Sequence, residues 1–171
     1  MIALHDNSPA VVSPGIYPML YAFFDDRGVL RQDPFRRQVD AALGTQAAGV
    51  AILGLGTEVS KLTFDERIEV LEVVAKHIDG RKPLLATVYG DTTTEQIEFS
   101  KRAIQSGASA LTLQPPSQKI DDAKLADFFS EIIAAVDCPV GVQNAPEFLG
   151  FGLSNQSLIA LANDHENFTI A

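Results

Sequence analysis

The segment Gly54-Leu55-Gly56-Thr57-Glu58 packs two glycines, a hydroxyl and a carboxylate into one short stretch. Glycines let a backbone approach a bound anion, and Thr57 adds a hydroxyl and an amide, so the segment suits capture of a carboxylate or phosphate. The competing reading is a plain turn out of a strand. A dinucleotide fingerprint is excluded, because its third glycine would fall where Val59 stands. Glu58 is a candidate general base, or equally a carboxylate stabilised by the dipole of a helix starting there. The phenols of Tyr21 and Tyr89 are candidates for proton handling, or simply reach the surface. Gln143-Asn144-Ala145-Pro146 offers two carboxamides to substrate hydroxyls. Gln143 alternatively caps backbone groups at a strand end.

These residues share a context. Apolar runs recur at Ile16-Pro18, Val50-Leu53, Leu84-Val88, Ala110-Leu113, Val140-Val142 and Phe168-Ile170, spaced by roughly thirty residues, the period of βα units. Each candidate follows one of these runs, as do Gln114, Pro115 and Pro116. Helical patterns with start signals lie between. Asp33-Pro34 reads as a cap before a proline at the first helical position, Thr63-Phe64-Asp65-Glu66 as a capping box, and Thr93-Thr94-Glu95-Gln96 as a second box. Leu125, Phe128, Phe129, Ile132, Ile133 and Val136 form the apolar stripe of a fourth helix. Gly80, Gly107 and Pro139 supply the stops. Strands this apolar belong to a parallel sheet covered by helices, in an open doubly wound sheet or a closed barrel. In both, the C-terminal strand ends build the site.

Bulk properties narrow the function. With 171 residues, 46% of them hydrophobic, the chain suffices for one core. A net charge of −9 with scattered Lys and Arg argues against nucleic acid or an anionic membrane as partner. No run reaches the length of a membrane span, and Met1 to Ser13 lacks the pattern of a signal peptide, so the expected location is cytoplasmic. The single Cys138 reads as a small buried hydrophobe beside the fifth run. His5 falls in the leader and His77 and His165 at helix ends; none is assigned to catalysis or to a metal.

Several motifs then come in one order and spacing: Gly15-Ile16, Phe24-Asp25-Asp26-Arg27-Gly28, the Gly54 to Glu58 loop with Leu62-Thr63, Gly80-Arg81-Lys82-Pro83, Gly107-Ala108 and Asn144-Ala145-Pro146. Together they resemble the dihydrodipicolinate synthase and N-acetylneuraminate lyase family of class I aldolases. The resemblance implies a (β/α)8 TIM barrel, of which residues 1–171 would be the N-terminal portion of a single domain: about five βα units and a sixth strand. It implies a homo-oligomer, dimer or tetramer, acting on a small 2-oxo acid without a cofactor. It also implies a Schiff-base lysine on the sixth strand, which falls immediately after Ala171. The lysine's amine condenses with the ketone, and the iminium accepts the electrons freed at the adjacent carbon. Lys61, Lys76, Lys82, Lys101, Lys119 and Lys124 fall on loops or helices and read as solvated surface.

Departures from the family pattern point to a substrate class. Leu55-Gly56 stands where the family carries two hydroxyl residues, leaving carboxylate binding to Thr57 and the loop amides. Glu147-Phe148-Leu149-Gly150 replaces the arginine that serves the synthases' second substrate. Gln143 replaces the proton-relaying tyrosine, and an amide cannot do that work. Aldol cleavage needs the fourth-carbon hydroxyl deprotonated, whereas dehydration expels it. Gln143 followed by the Ala145-Pro146 pair is also similar to the sugar-acid dehydratases of the family. The expected function is dehydration of a 2-keto-3-deoxy sugar acid, with carboxylate capture at Gly56 and Thr57, beside Leu55 and Asn144, and catalytic roles for Gln143, Tyr21, Tyr89 and Glu58. A pyruvate-dependent aldolase of the same family is the alternative. A catalytically inactive binding or sensor module is the second.

Overall fold

The structure, a computed structural model, describes residues 12–170; His5, most of the leader and Ala171 lie outside them. The strands are β1 (Val50–Ile52), β2 (Leu84–Val88), β3 (Ala110–Leu113), β4 (Val140–Val142) and β5 (Phe168–Ile170). The helices are α1 (Gln32–Leu43), α2 (Phe64–Ile78), α3 (Thr93–Gln105), α4 (Asp122–Ala134), the short α5 (Pro146–Leu149) and α6 (Asn155–Asp164).

Strand order separates the two architectures. The strands pair in parallel in the order β1-β2-β3-β4-β5, with no reversal. A doubly wound sheet reverses direction at its switch point; a barrel wall does not. Consecutive helices α1 to α4 pack side by side, and α6 continues the row against α4. The architecture is an α/β barrel wall, a partial (β/α)8 barrel.

The two-residue repeat of strands sorts its faces. Val50, Ile52, Leu84, Ala86, Leu111 and Val140 join the helices in one hydrophobic core. The alternate positions form the other face, where Leu85 pairs with Ala110, and Thr87, Thr112 and Gly141 align in one row. That face is the barrel interior.

The first apolar run does not become a strand. Ile16 and Pro18 accept from the amides of Ala48 and Ala51 at 2.9 and 3.0 Å, and Leu20 donates to Ala51 at 2.9 Å. Only one bridge, Met19 to Ala51, is completed beside β1. Pro18 contributes a carbonyl to this ladder but has no N–H to extend it.

Helix starts also shift. Thr63 and Glu66 form the expected capping box of α2. Helix α1 begins at Gln32 without a side-chain cap, so Asp33 and Pro34 lie inside its first turn. The cap of α3 is Thr92, accepting from Glu95 N at 3.1 Å. The Glu95 carboxylate turns instead to Arg67, at 2.9 Å, and to the amide of Asp91. Gly80 and Gly107 follow α2 and α3 with φ of +67° and +104°, conformations that favour glycine. Lys82, expected on the surface, is half-buried and donates to the carbonyls of Ala42, Thr45 and Ala47 at the C-terminal end of α1, the negative end of that helix dipole. Cys138 is buried as expected, and burial pushes its thiol up to about 11.

Candidate active site

At the C-terminal ends of β1, β2 and β3 lies a hollow of about 320 Å³. Leu55, Glu58 and Lys61 bound it on one side, Tyr89, Gln114 and Pro115 on another, and Leu149 and Phe151 on a third. A larger apolar hollow of about 490 Å³ lies along α1 and the edge segment 16–21. Parallel α/β sheets concentrate chemistry at the C-terminal strand ends, so the smaller hollow is the candidate site.

The loop after β1 is held under strain. Leu53 and Glu58 bracket it with φ of +63° and +56°, left-handed values that cost a branched or long side chain of order 1–3 kcal/mol each. The chain between them makes a single 3-10 turn, Leu55–Thr57. Gly54 passes so close to Met19 that an added Cβ would stand 2.3 Å from its Cε. Within the turn, the Thr57 amide donates to Gly54 O and the Glu58 amide to Leu55 O, both at 3.0 Å. The amides of Leu55 and Gly56 have no acceptor among the described hydrogen bonds. They are the turn's free N–H groups, and they suit a carboxylate.

Thr57 departs from its expected role. Its side chain is buried, and its hydroxyl donates to Leu20 O at 2.7 Å. The donor expected to face the substrate instead ties the loop to the edge segment. Glu58 stands between two 3-10 turns rather than at the start of an α-helix, and α2 begins only at Phe64. It forms an exposed ion pair with Lys61, and both residues line the hollow. Lys61 is exposed at the surface, as expected, at the rim of the hollow.

Tyr89 lines the hollow, and no described hydrogen bond engages its hydroxyl. Its place is set from behind by Arg67, a residue that helical periodicity alone gave no reason to single out. Only 5% exposed, Arg67 donates to Tyr89 O and stands 5.7 Å from the centroid of its ring. Tyr21 is not brought to the hollow: it is exposed and borders the larger, apolar one. Its backbone exchanges hydrogen bonds with the Gln38 side chain at 2.8 and 3.0 Å. Its ring does lie beside Gly56, where an added Cβ would be 3.7 Å from Tyr21 Cε1.

Gln114 and Gln143 stand two residues beyond Thr112 and Gly141, so they continue the inner-face row toward the strand ends. Their amides extend the ladder, to Val88 O at 2.9 Å and Leu113 O at 2.8 Å. Gln114 Nε2 donates to Gln143 Oε1 at 2.8 Å. Asn144 turns away: its Nδ2 donates to Leu153 O at 3.0 Å and its Oδ1 accepts from Leu153 N at 2.8 Å. Both polar groups of this side chain brace the loop carrying α5, which leaves Asn144 as a loop staple rather than a substrate ligand. Among the described residues no group of three or more His, Cys, Asp or Glu could hold a metal ion, and no helix is long and apolar enough to cross a membrane.

Comparison with known proteins fits this geometry. The model of the dihydrodipicolinate synthetase family matches residues 13–169. A 4-hydroxy-tetrahydrodipicolinate synthase of Pelobacter propionicus is 32% identical over 141 residues, 82% of this chain and 48% of that protein. An L-2-keto-3-deoxyarabonate dehydratase of Azospirillum brasilense is 30% identical over 156 residues, 89% of this chain and 50% of its own length. The crystal structure of YagE from Escherichia coli K12, a prophage protein of the dihydrodipicolinic acid synthase family in complex with pyruvate, superposes with a TM-score of 0.86. It is 29% identical, covering 91% of this chain and 53% of that one. The chain spans about half the length of the relatives it matches.

Proposed function

Because this chain belongs to the dihydrodipicolinate synthetase family, we propose that it supplies the carboxylate pocket and the hydroxyl-binding groups of a Schiff-base-forming lyase that dehydrates a 2-keto-3-deoxy sugar acid. The observation that carries this reading is the Gln114–Gln143 carboxamide pair on the inner face, at the position where an aldol cleavage would need a titratable relay. A carboxamide neither takes up nor releases a proton near neutral pH.

The substrate carboxylate docks on the free amides of Leu55 and Gly56. The electron sink is a lysine amine one residue past Ala171. The register pairing Gly141 with Ile170 would put a residue two positions beyond Ile170 level with Gln143, two beyond Gly141. An imine formed there holds the third and fourth substrate carbons beside the two carboxamides. Tyr89 and Glu58, which both line the hollow, are the groups proposed to move the third-carbon proton. The lining between Leu149 and Phe151 is apolar on this side, which disfavours a second carboxylate there. The proposed enzyme acts as a cytoplasmic homo-oligomer and needs no cofactor.

Product analysis tests the reaction type. The protein expressed from its whole gene is incubated with 2-keto-3-deoxy pentonates and hexonates. Loss of water without pyruvate release supports dehydration; stoichiometric pyruvate would make the enzyme an aldolase.

A further inference from the structure

We infer that Gln114 is a positioning residue that fixes Gln143 as a hydrogen-bond donor toward the fourth-carbon oxygen of the substrate; the inference rests on the Schiff-base reading above. Gln114 is 5% exposed, and its main chain is held at both polar groups: its backbone N–H donates to Val88 O at 2.9 Å and its backbone carbonyl accepts from Gln96 Nε2 at 2.9 Å. The same Gln96 nitrogen donates to Gly90 O at 2.9 Å. Gln96 is wholly buried on α3, so it clamps the ends of β2 and β3 together. The clamp's donor comes from the helix layer and not from a strand end.

The consequence lies in the polarity of one carboxamide. Gln114 Nε2 donates to Gln143 Oε1, which leaves the Gln143 NH2 as the group without a described protein partner. A carboxamide turned this way offers hydrogens outward. In dehydration, the third-carbon proton goes to a base, and its electron pair is held through the iminium. The bond between the fourth carbon and its oxygen then breaks, and the departing oxygen takes that proton back and leaves as water. Negative charge grows on that oxygen, and a fixed donor stabilises it. In aldol cleavage the hydroxyl must give up its proton to a base while the bond between the third and fourth carbons breaks, and a donor cannot accept it. The clamp thus biases one imine toward elimination.

The test uses the protein expressed from its whole gene and follows both products. Gln114→Glu replaces the donor by an acceptor, so Gln143 turns its NH2 inward and its carbonyl toward substrate. The expected result is a fall in dehydration kcat of about tenfold with KM within about twofold, and a larger share of pyruvate in the products. Gln143→Glu keeps the acceptor that Gln114 needs but removes the outward donor, with an expected loss in kcat of roughly a hundredfold. An unchanged kcat and product ratio in Gln114→Glu, while borohydride with pyruvate still traps an adduct, would overturn the positioning role. If Gln114→Glu does not fold, Gln114→Met, which keeps the side-chain volume and removes the bond to Gln143, decides: lost dehydration kcat at constant KM supports the role, retained kcat overturns it. Absence of an adduct in the wild-type protein would overturn the underlying Schiff-base reading, and the role with it.

Discussion

The hydroxyl of Thr57 donates to the carbonyl of Leu20 at 2.7 Å, stitching the loop after β1 to the segment that starts the sheet. The bond is buried, and it spans a separation of 37 residues. It fastens a loop whose ends, Leu53 and Glu58, are both in the left-handed region. The stitch and the strain act together: the loop is held open with the Leu55 and Gly56 amides unspent.

Thr57→Val keeps the shape of this side chain and removes its donor, leaving Leu20 O buried without it. The variant is expected to lose about 1–2 kcal/mol of stability, read as a lower urea midpoint at unchanged slope. With the proposed docking on the loop amides, pyruvate capture should survive. A variant with unchanged stability and abolished pyruvate binding would return Thr57 to the role of a direct ligand.

Arg67→Met tests the support behind Tyr89. The guanidinium is nearly buried, pairs with Glu95 at 2.9 Å and lies against the rings of Phe64, Tyr89 and Phe99. Removing it leaves Glu95 unpartnered on that side and frees the Tyr89 carbonyl. Breaking a fully buried pair costs about 3–5 kcal/mol; with the Glu95 side chain 35% exposed, the expected cost is at the low end of that range. Tyrosine fluorescence, in a chain without tryptophan, would report the movement of Tyr89.

The strands were legible because a covered parallel sheet writes mostly apolar runs into the sequence, and the runs at 84–88, 110–113, 140–142 and 168–170 became β2 to β5 residue for residue. The run at 50–53 lost its last member, Leu53, to a left-handed turn that apolarity does not encode. Side-chain partners were less legible. Thr57, Lys82 and Arg67 all bond to atoms 22 to 40 residues away, contacts set by layer packing rather than by local pattern. Asn144 looked available because the fold-back of Leu153 onto it, nine residues on, is a property of the loop's path. Gln114 sat in the right loop, and its bonds to Val88, Gln96 and Gln143 distinguish it from its proline neighbours.

Asp122 gives the fold an acid-sensitive joint. Its carboxylate accepts from Ser154 N, Ser154 Oγ and Ser157 Oγ, each at 2.8 Å, joining α4 to α6. The amide of Ser154, with the two hydroxyls, holds the carboxyl below its ordinary 3.8. A depressed folded-state value means the contribution is fully present above that ordinary value and fades as pH falls through the folded one. Asp122→Asn should therefore be less stable than wild type at about pH 7, with the gap closing below about pH 4. Urea midpoints across that range would show it; a gap that persists in acid would contradict the assignment.

The proposed imine joins a 2-oxo acid to a lysine expected two residues beyond Ile170. Borohydride reduction of the protein expressed from its whole gene, with pyruvate present, followed by peptide mapping, addresses it most directly. The expected result is one reduced pyruvyl group on the lysine immediately after Ala171. No adduct, or an adduct on Lys61 instead, would rule out the proposed imine.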